Sequence, residues 1–77
     1  MKRQLLSIYK EMLAVAQTPT LKTRIMYKTN QSYTQYKKHL DELLRLGLIV
    51  NNSDTYQTTQ KGIKFIELMS EIEALLR

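Results

Sequence analysis

The chain has no cysteine and a single histidine. These shortages exclude disulfides, thiolate metal sites and any metal centre built from several imidazoles. Glycine is nearly as scarce, and Gly47 and Gly62 stand too far apart to form a phosphate-cradling loop. No run of about 18 apolar residues is present, so no membrane-spanning helix is expected. The opening MKRQLLSIYKEM is too polar and too helix-periodic for a secretory leader, which points to a cytoplasmic protein. Asp41 and Glu42 are adjacent, so on a helix they point in different directions and make no acid-base pair. Without a nucleophile, base or ligand constellation, neither an enzyme nor a cofactor is expected, and no small-molecule ligand.

What remains is a chain of 77 residues, 43% of them hydrophobic, with a net charge of +5. One domain of this size buries only about 60 to 65% of the surface its unfolded form exposes. So thin a core gains from a partner subunit. The positive charge is unevenly placed. Residues 20–50 carry Lys22, Arg24, Lys28, Lys37, Lys38 and Arg45 against Asp41 and Glu42, whereas in residues 59–77 three cations meet three carboxylates. A local basic field attracts polyanions, and neutralising phosphates releases counterions.

The pattern predicts a helix over residues 3–17, where Leu5, Ile8, Tyr9, Met12, Leu13 and Ala16 repeat with helical spacing. Thr18 and Pro19 end it. Thr20 is placed to cap a second helix over 21–29, with Leu21 and Ile25 facing inward. Asn30, which tolerates the left-handed conformation, should stop that helix, and Asn30, Gln31 and Ser32 form the turn. Ser32 followed by Gln35 has capping-box spacing, so a third helix should span 33–46 and end at Gly47. Its stripe of Tyr33, Tyr36, Leu40, Leu43 and Leu44 faces the core, which turns Thr34, Gln35, Lys38, Glu42 and Arg45 outward.

Residues 48–58 read as a hairpin, with Leu48, Ile49 and Val50 in one strand, Thr55 to Thr58 in the other, and Asn51, Asn52, Ser53 and Asp54 as the turn. Thr59 should cap a last helix over 60–77. That helix carries more apolar residues than one stripe requires. Phe65, Leu68, Met69, Ile72, Leu75 and Leu76 recur every three to four residues, a seam for a second copy. The five tyrosines, Tyr9, Tyr27, Tyr33, Tyr36 and Tyr56, are expected to be core residues with surface hydroxyls rather than a stacking platform.

The chain resembles the archaeal winged helix-turn-helix family of small predicted transcriptional regulators, which includes small basic chromatin-type DNA-binding proteins. The resemblance covers nearly the whole chain and rests on several groups of residues. They are Thr23-Arg24-Ile25-Met26-Tyr27, Asn30 with Ser32-Tyr33, Leu40, Leu43, Gly47-Leu48-Ile49, and Thr59 with Lys61-Gly62. It implies a dimer formed through the C-terminal helix and binding to double-stranded DNA. Gln31 departs from the pattern, which usually has an aliphatic residue there, and is expected to leave a polar side chain free. The last helix is also shorter than the coiled-coil helix of the chromatin-type members, which implies a compact dimer.

The expected fold is therefore mainly α with a small β-hairpin: three helices, a wing and a C-terminal dimerisation helix. The expected function is that of a DNA-binding dimer, nucleoid-associated and regulating transcription. Thr34, Gln35 and Lys38 would meet the major groove, with Ser32 and Tyr33 at the entry of their helix, while Lys22, Arg24, Lys28, Lys37 and Arg45 hold phosphates. Two alternatives stay open: an architectural DNA-binding protein without sequence preference, and a protein-interaction module on the same fold.

Overall fold

The computed structural model describes residues 4–77. The expected helix start at residue 3 lies outside the described residues. Helix α1 spans Leu5–Val15 and is followed by a short strand β1, Thr20–Leu21; helix α2, Lys22–Lys28, then leads into helix α3, Tyr33–Arg45. Strands β2, Ile49–Asn52, and β3, Thr55–Thr58, form the wing, and helix α4, Gln60–Leu75, closes the chain.

The second half of α1 is the axis of the core. Met12, Leu13 and Ala16 are fully buried, and Ile25 of α2, Tyr36, Leu40 and Leu43 of α3, and Leu48 and Ile49 at the wing base share their cluster. Leu5 was expected inside but is about half exposed, because the core gathers beyond the first turn of α1. Thr58 ties the end of β3 to α1: its amide donates to the Ala16 carbonyl at 2.8 Å and its hydroxyl to the Leu13 carbonyl at 2.6 Å.

Thr20 does not cap α2. Its hydroxyl turns back to the Thr18 and Val15 carbonyls, at 2.7 and 3.2 Å, and Leu21, which has no capping side-chain bond, occupies the N-cap position. Thr20 and Leu21 instead pair with Tyr56 and Thr55, making a three-stranded antiparallel sheet of order β1-β3-β2. Successive strand residues face opposite sides, so burying Thr20 turns Leu21 outward, to 54% exposure. The expected hairpin turn also tightens. Asn51 and Asn52 belong to β2, and Ser53, at φ +61°, and Asp54 make the reversal.

The ends of α3 follow the sequence pattern. The Ser32 hydroxyl accepts from the Gln35 amide at 3.3 Å, although the Gln35 side chain does not reach back to Ser32. At the far end Gly47 takes φ +74°, and its amide and that of Leu48 donate to Leu44 and Leu43, closing a Schellman motif. Tyr33 is the exception on the predicted stripe. It sits in the first turn, ahead of the buried run that starts at Tyr36, and is 64% exposed.

Thr59 caps α4 by accepting from the Gly62 amide at 3.1 Å, while its hydroxyl donates to the Gly47 carbonyl at 2.7 Å. Gly62 sits so close to the base of the wing that an added Cβ would lie 2.2 Å from the Leu48 carbonyl oxygen. Two residues of the expected dimer seam turn inward. Met69 is 7% exposed and Phe65 packs against the core cluster, because α4 lies along α1, where Lys10 and Glu73 form an ion pair. Leu68, Ile72, Leu75 and Leu76 remain exposed.

Candidate nucleic-acid interface

Helix α2 and the first half of α3 carry Lys22, Arg24, Lys28, Lys37 and Lys38, all exposed and none in an ion pair among the described residues. Ser32, Tyr33, Thr34 and Gln35 are exposed beside them. The helix macrodipole adds positive character at the N-terminus of α3, where no acidic residue occupies the first turn. The carboxylates Asp41 and Glu42 fall in its second half. The helix is thus polarised along its length, with free cations at the end that carries Thr34 and Gln35.

Arg45 stands apart from the other cations. Its guanidinium holds Glu42 in a two-pronged pair, one arm of which is Nε to Oε2 at 3.0 Å. The hydrogen bond from Arg45 holds the Glu42 carboxyl below its ordinary pKa. Arg45 also lies at the C-terminal end of α3, where the Leu46 carbonyl accepts from the Lys61 ammonium at 2.7 Å. Its charge is therefore already met within the domain, unlike that of the five other cations.

Gln31 is not free. Its amide nitrogen donates to the Thr29 hydroxyl at 2.8 Å, and its amide oxygen lies 2.7 Å from Nδ1 of His39. Thr29, itself buried, donates to the Ile25 carbonyl at 2.7 Å. This chain of bonds joins the end of α2, the turn and the middle of α3. The His39 ring also meets Tyr9 of α1 edge-on, at 5.7 Å between centroids. A polar strut thus braces the two helices of the motif, which keeps the exposed face of α3 at a set angle to α2.

Two open clefts border this face. One, of about 480 Å³, lies between the start of α2 and the wing tip and is lined by Leu21, Lys22, Thr23, Asn51, Ser53, Asp54 and Tyr56. The other, of about 550 Å³, runs along the outer side of α2 past Leu21, Thr23, Arg24, Tyr27 and Lys28. Leu21 and Thr23 line both. Sequence reasoning missed this groove, because Leu21 and Tyr27 were assigned to the core. Only the three-stranded sheet reveals that Leu21 faces outward.

A helix-turn-helix braced on a three-helix core and flanked by a hairpin wing defines the winged-helix class. The chain belongs to the winged helix-turn-helix family, whose sequence profile matches residues 2–77. It is 33% identical over 52 residues to an uncharacterized protein of Methanocaldococcus jannaschii, a match covering 68% of this chain and 54% of that protein. The chain therefore spans about half the length of that curated relative. Among solved structures it is similar to Sso10a-2, a DNA-binding protein from Sulfolobus solfataricus, with a TM-score of 0.82 and 25% identity. That match covers 95% of this chain and 81% of that one. Among the described residues no helix is long and apolar enough to cross a membrane.

Proposed function

We propose that the chain binds double-stranded DNA as a homodimer, is associated with the nucleoid and regulates transcription. The observation that carries the DNA reading is the set of five exposed cations on α2 and the first half of α3, none of them in an ion pair among the described residues. The likeness to a structure described as that of a DNA-binding protein supports it. Lys22, Arg24, Lys28 and Lys37 hold phosphates, and Thr34, Gln35 and Lys38 enter the major groove. Ser32 keeps the first turn of that helix in shape, Tyr33 flanks the groove edge, and Arg45, tied to Glu42, is the weakest phosphate contact.

The dimer reading rests on the strip of α4 that the domain leaves uncovered. Leu75 and Leu76 are more than 80% exposed, and Leu68 and Ile72 about half. An apolar strip of this kind is what a second copy of the same helix covers. Phe65 and Met69 support that helix from within the domain. A single species of 9.1 kDa in sedimentation at micromolar concentration would remove the dimer.

Duplex binding is tested by fluorescence anisotropy with random and genomic duplexes across a salt series. Each phosphate neutralised contributes about −0.9 to the slope of log affinity against log salt, so five contacts give about −4 to −5 per chain. Gln35→Ala is expected to reduce discrimination between sites by about 1 to 3 kcal/mol, the worth of a good bidentate base contact. Equal binding of every duplex by the wild type makes the protein architectural rather than a regulator. No binding at low salt leaves the protein-interaction reading.

A further inference from the structure

Tyr27 is 80% exposed and lines the open side of α2 with Leu21, itself 54% exposed. Two large side chains this exposed, lining one cleft with Arg24 and Lys28, have no use in holding a paired duplex. A duplex presents phosphates and base edges, and its base faces are already stacked on one another. A phosphate contact would need only the Tyr27 hydroxyl, not a ring face beside a leucine.

From this geometry we infer that the groove along α2 is a seat for an unpaired nucleobase, stacked on the Tyr27 ring. Arg24 and Lys28 flank the ring and neutralise the phosphates on either side of that base. Cations interleaved with an accessible aromatic ring are the elements by which proteins hold single strands, and stacking tolerates any base because each has a π-face. The cleft volume of about 550 Å³ falls within the roughly 300 to 1,000 Å³ typical of small-ligand sites. Leu21 and Thr23 also line the neighbouring cleft at the wing tip, where Lys22 offers a further cation and Asn51 and Ser53 offer hydrogen-bonding groups. The occupant is a strand with at least one unpaired base, as in a melted or mismatched duplex. Asp54 at the far end is the one carboxylate lining either cleft, so the rim is complementary to a polyanion rather than to a basic peptide.

The test uses the full chain and three labelled probes: a paired duplex, the same duplex with a central unpaired bubble, and oligothymidine. Wild type is expected to bind the bubble more tightly than the paired duplex. Tyr27→Ala is expected to weaken bubble and oligothymidine binding about five- to a hundredfold, the range for one lost stacking contact, while paired-duplex affinity stays within about twofold. Tyr27→Phe keeps the ring and is expected to stay near wild type on all three probes. Equal wild-type affinity for bubble and duplex overturns the inference, as does an unchanged Tyr27→Ala variant. So does a Phe variant as weak as the Ala variant, which would assign the contact to the hydroxyl. Binding of the bubble and oligothymidine without the paired duplex would remove the duplex reading and leave this one standing.

Discussion

The two exposed surfaces of this domain are both built on helices and differ in what they leave in water. On α2 and the first half of α3 the exposed side chains include five cations that form no ion pair among the described residues, with Tyr27 and Tyr33 beside them. On the outer side of α4 they are Leu68, Ile72, Leu75 and Leu76, among charges that cancel. Hydrated cations remain stable at a surface and gain on meeting a polyanion, whereas an exposed apolar strip gains only by being covered. Helix formation alone therefore says little about partners. The difference lies in whether the core absorbs the apolar residues, and α4 has more of them than the core can take.

The largest expected effect comes from the residue that locks one region to the other. In Gly62→Ala the added methyl would collide with the backbone carbonyl of Leu48 and with Thr58, and backbone cannot swing aside as a flexible side chain can. A loss of about 2 to 3 kcal/mol is expected in urea denaturation, with DNA binding and self-association failing together. A variant that unfolds like wild type would show that α4 is free to shift on the wing base.

A paired experiment separates the surfaces. Ile72→Lys is expected to shift sedimentation toward the single chain while changing intrinsic stability by less than about 0.5 kcal/mol, since the side chain is half exposed. Lys37→Ala is expected to leave self-association intact and to flatten the salt slope of DNA binding by about one unit. If Lys37→Ala altered association, or Ile72→Lys altered the salt slope per chain, the two regions would not be independent.

The smallest effect concerns the brace beneath the basic face. Burial, and secondarily the charge of Lys38, hold the His39 imidazole below its ordinary value of 6.5. The folded protein thus binds that proton less tightly than the unfolded chain. The stability His39 contributes is full above the unfolded-state value and declines as pH falls through it. Thermal melts from about pH 7.5 to 5 should show a drop that is shallower in His39→Gln, which has no proton to gain. A wild-type profile parallel to that of the variant would mean that His39 is solvated like an isolated imidazole.

The sequence by itself determined the end of α2, both ends of α3, the start of α4 and the uneven spread of charge. Asn30, Ser32, Gly47 and Thr59 act on backbone groups only a few residues away, so their effect is written in local spacing. Tertiary structure alone decided what depends on segments distant in the chain. Thr20 became a strand residue because Tyr56 lies beside it, and Leu21 turned outward in consequence. Gln31, read as free, is held by Thr29 and His39 once α3 folds back over the turn. Met69 and Phe65 left the expected seam because α1 lies against α4. Periodicity identifies the apolar side chains of a helix, but which of them meet a neighbour depends on where that neighbour packs, and no local pattern encodes that.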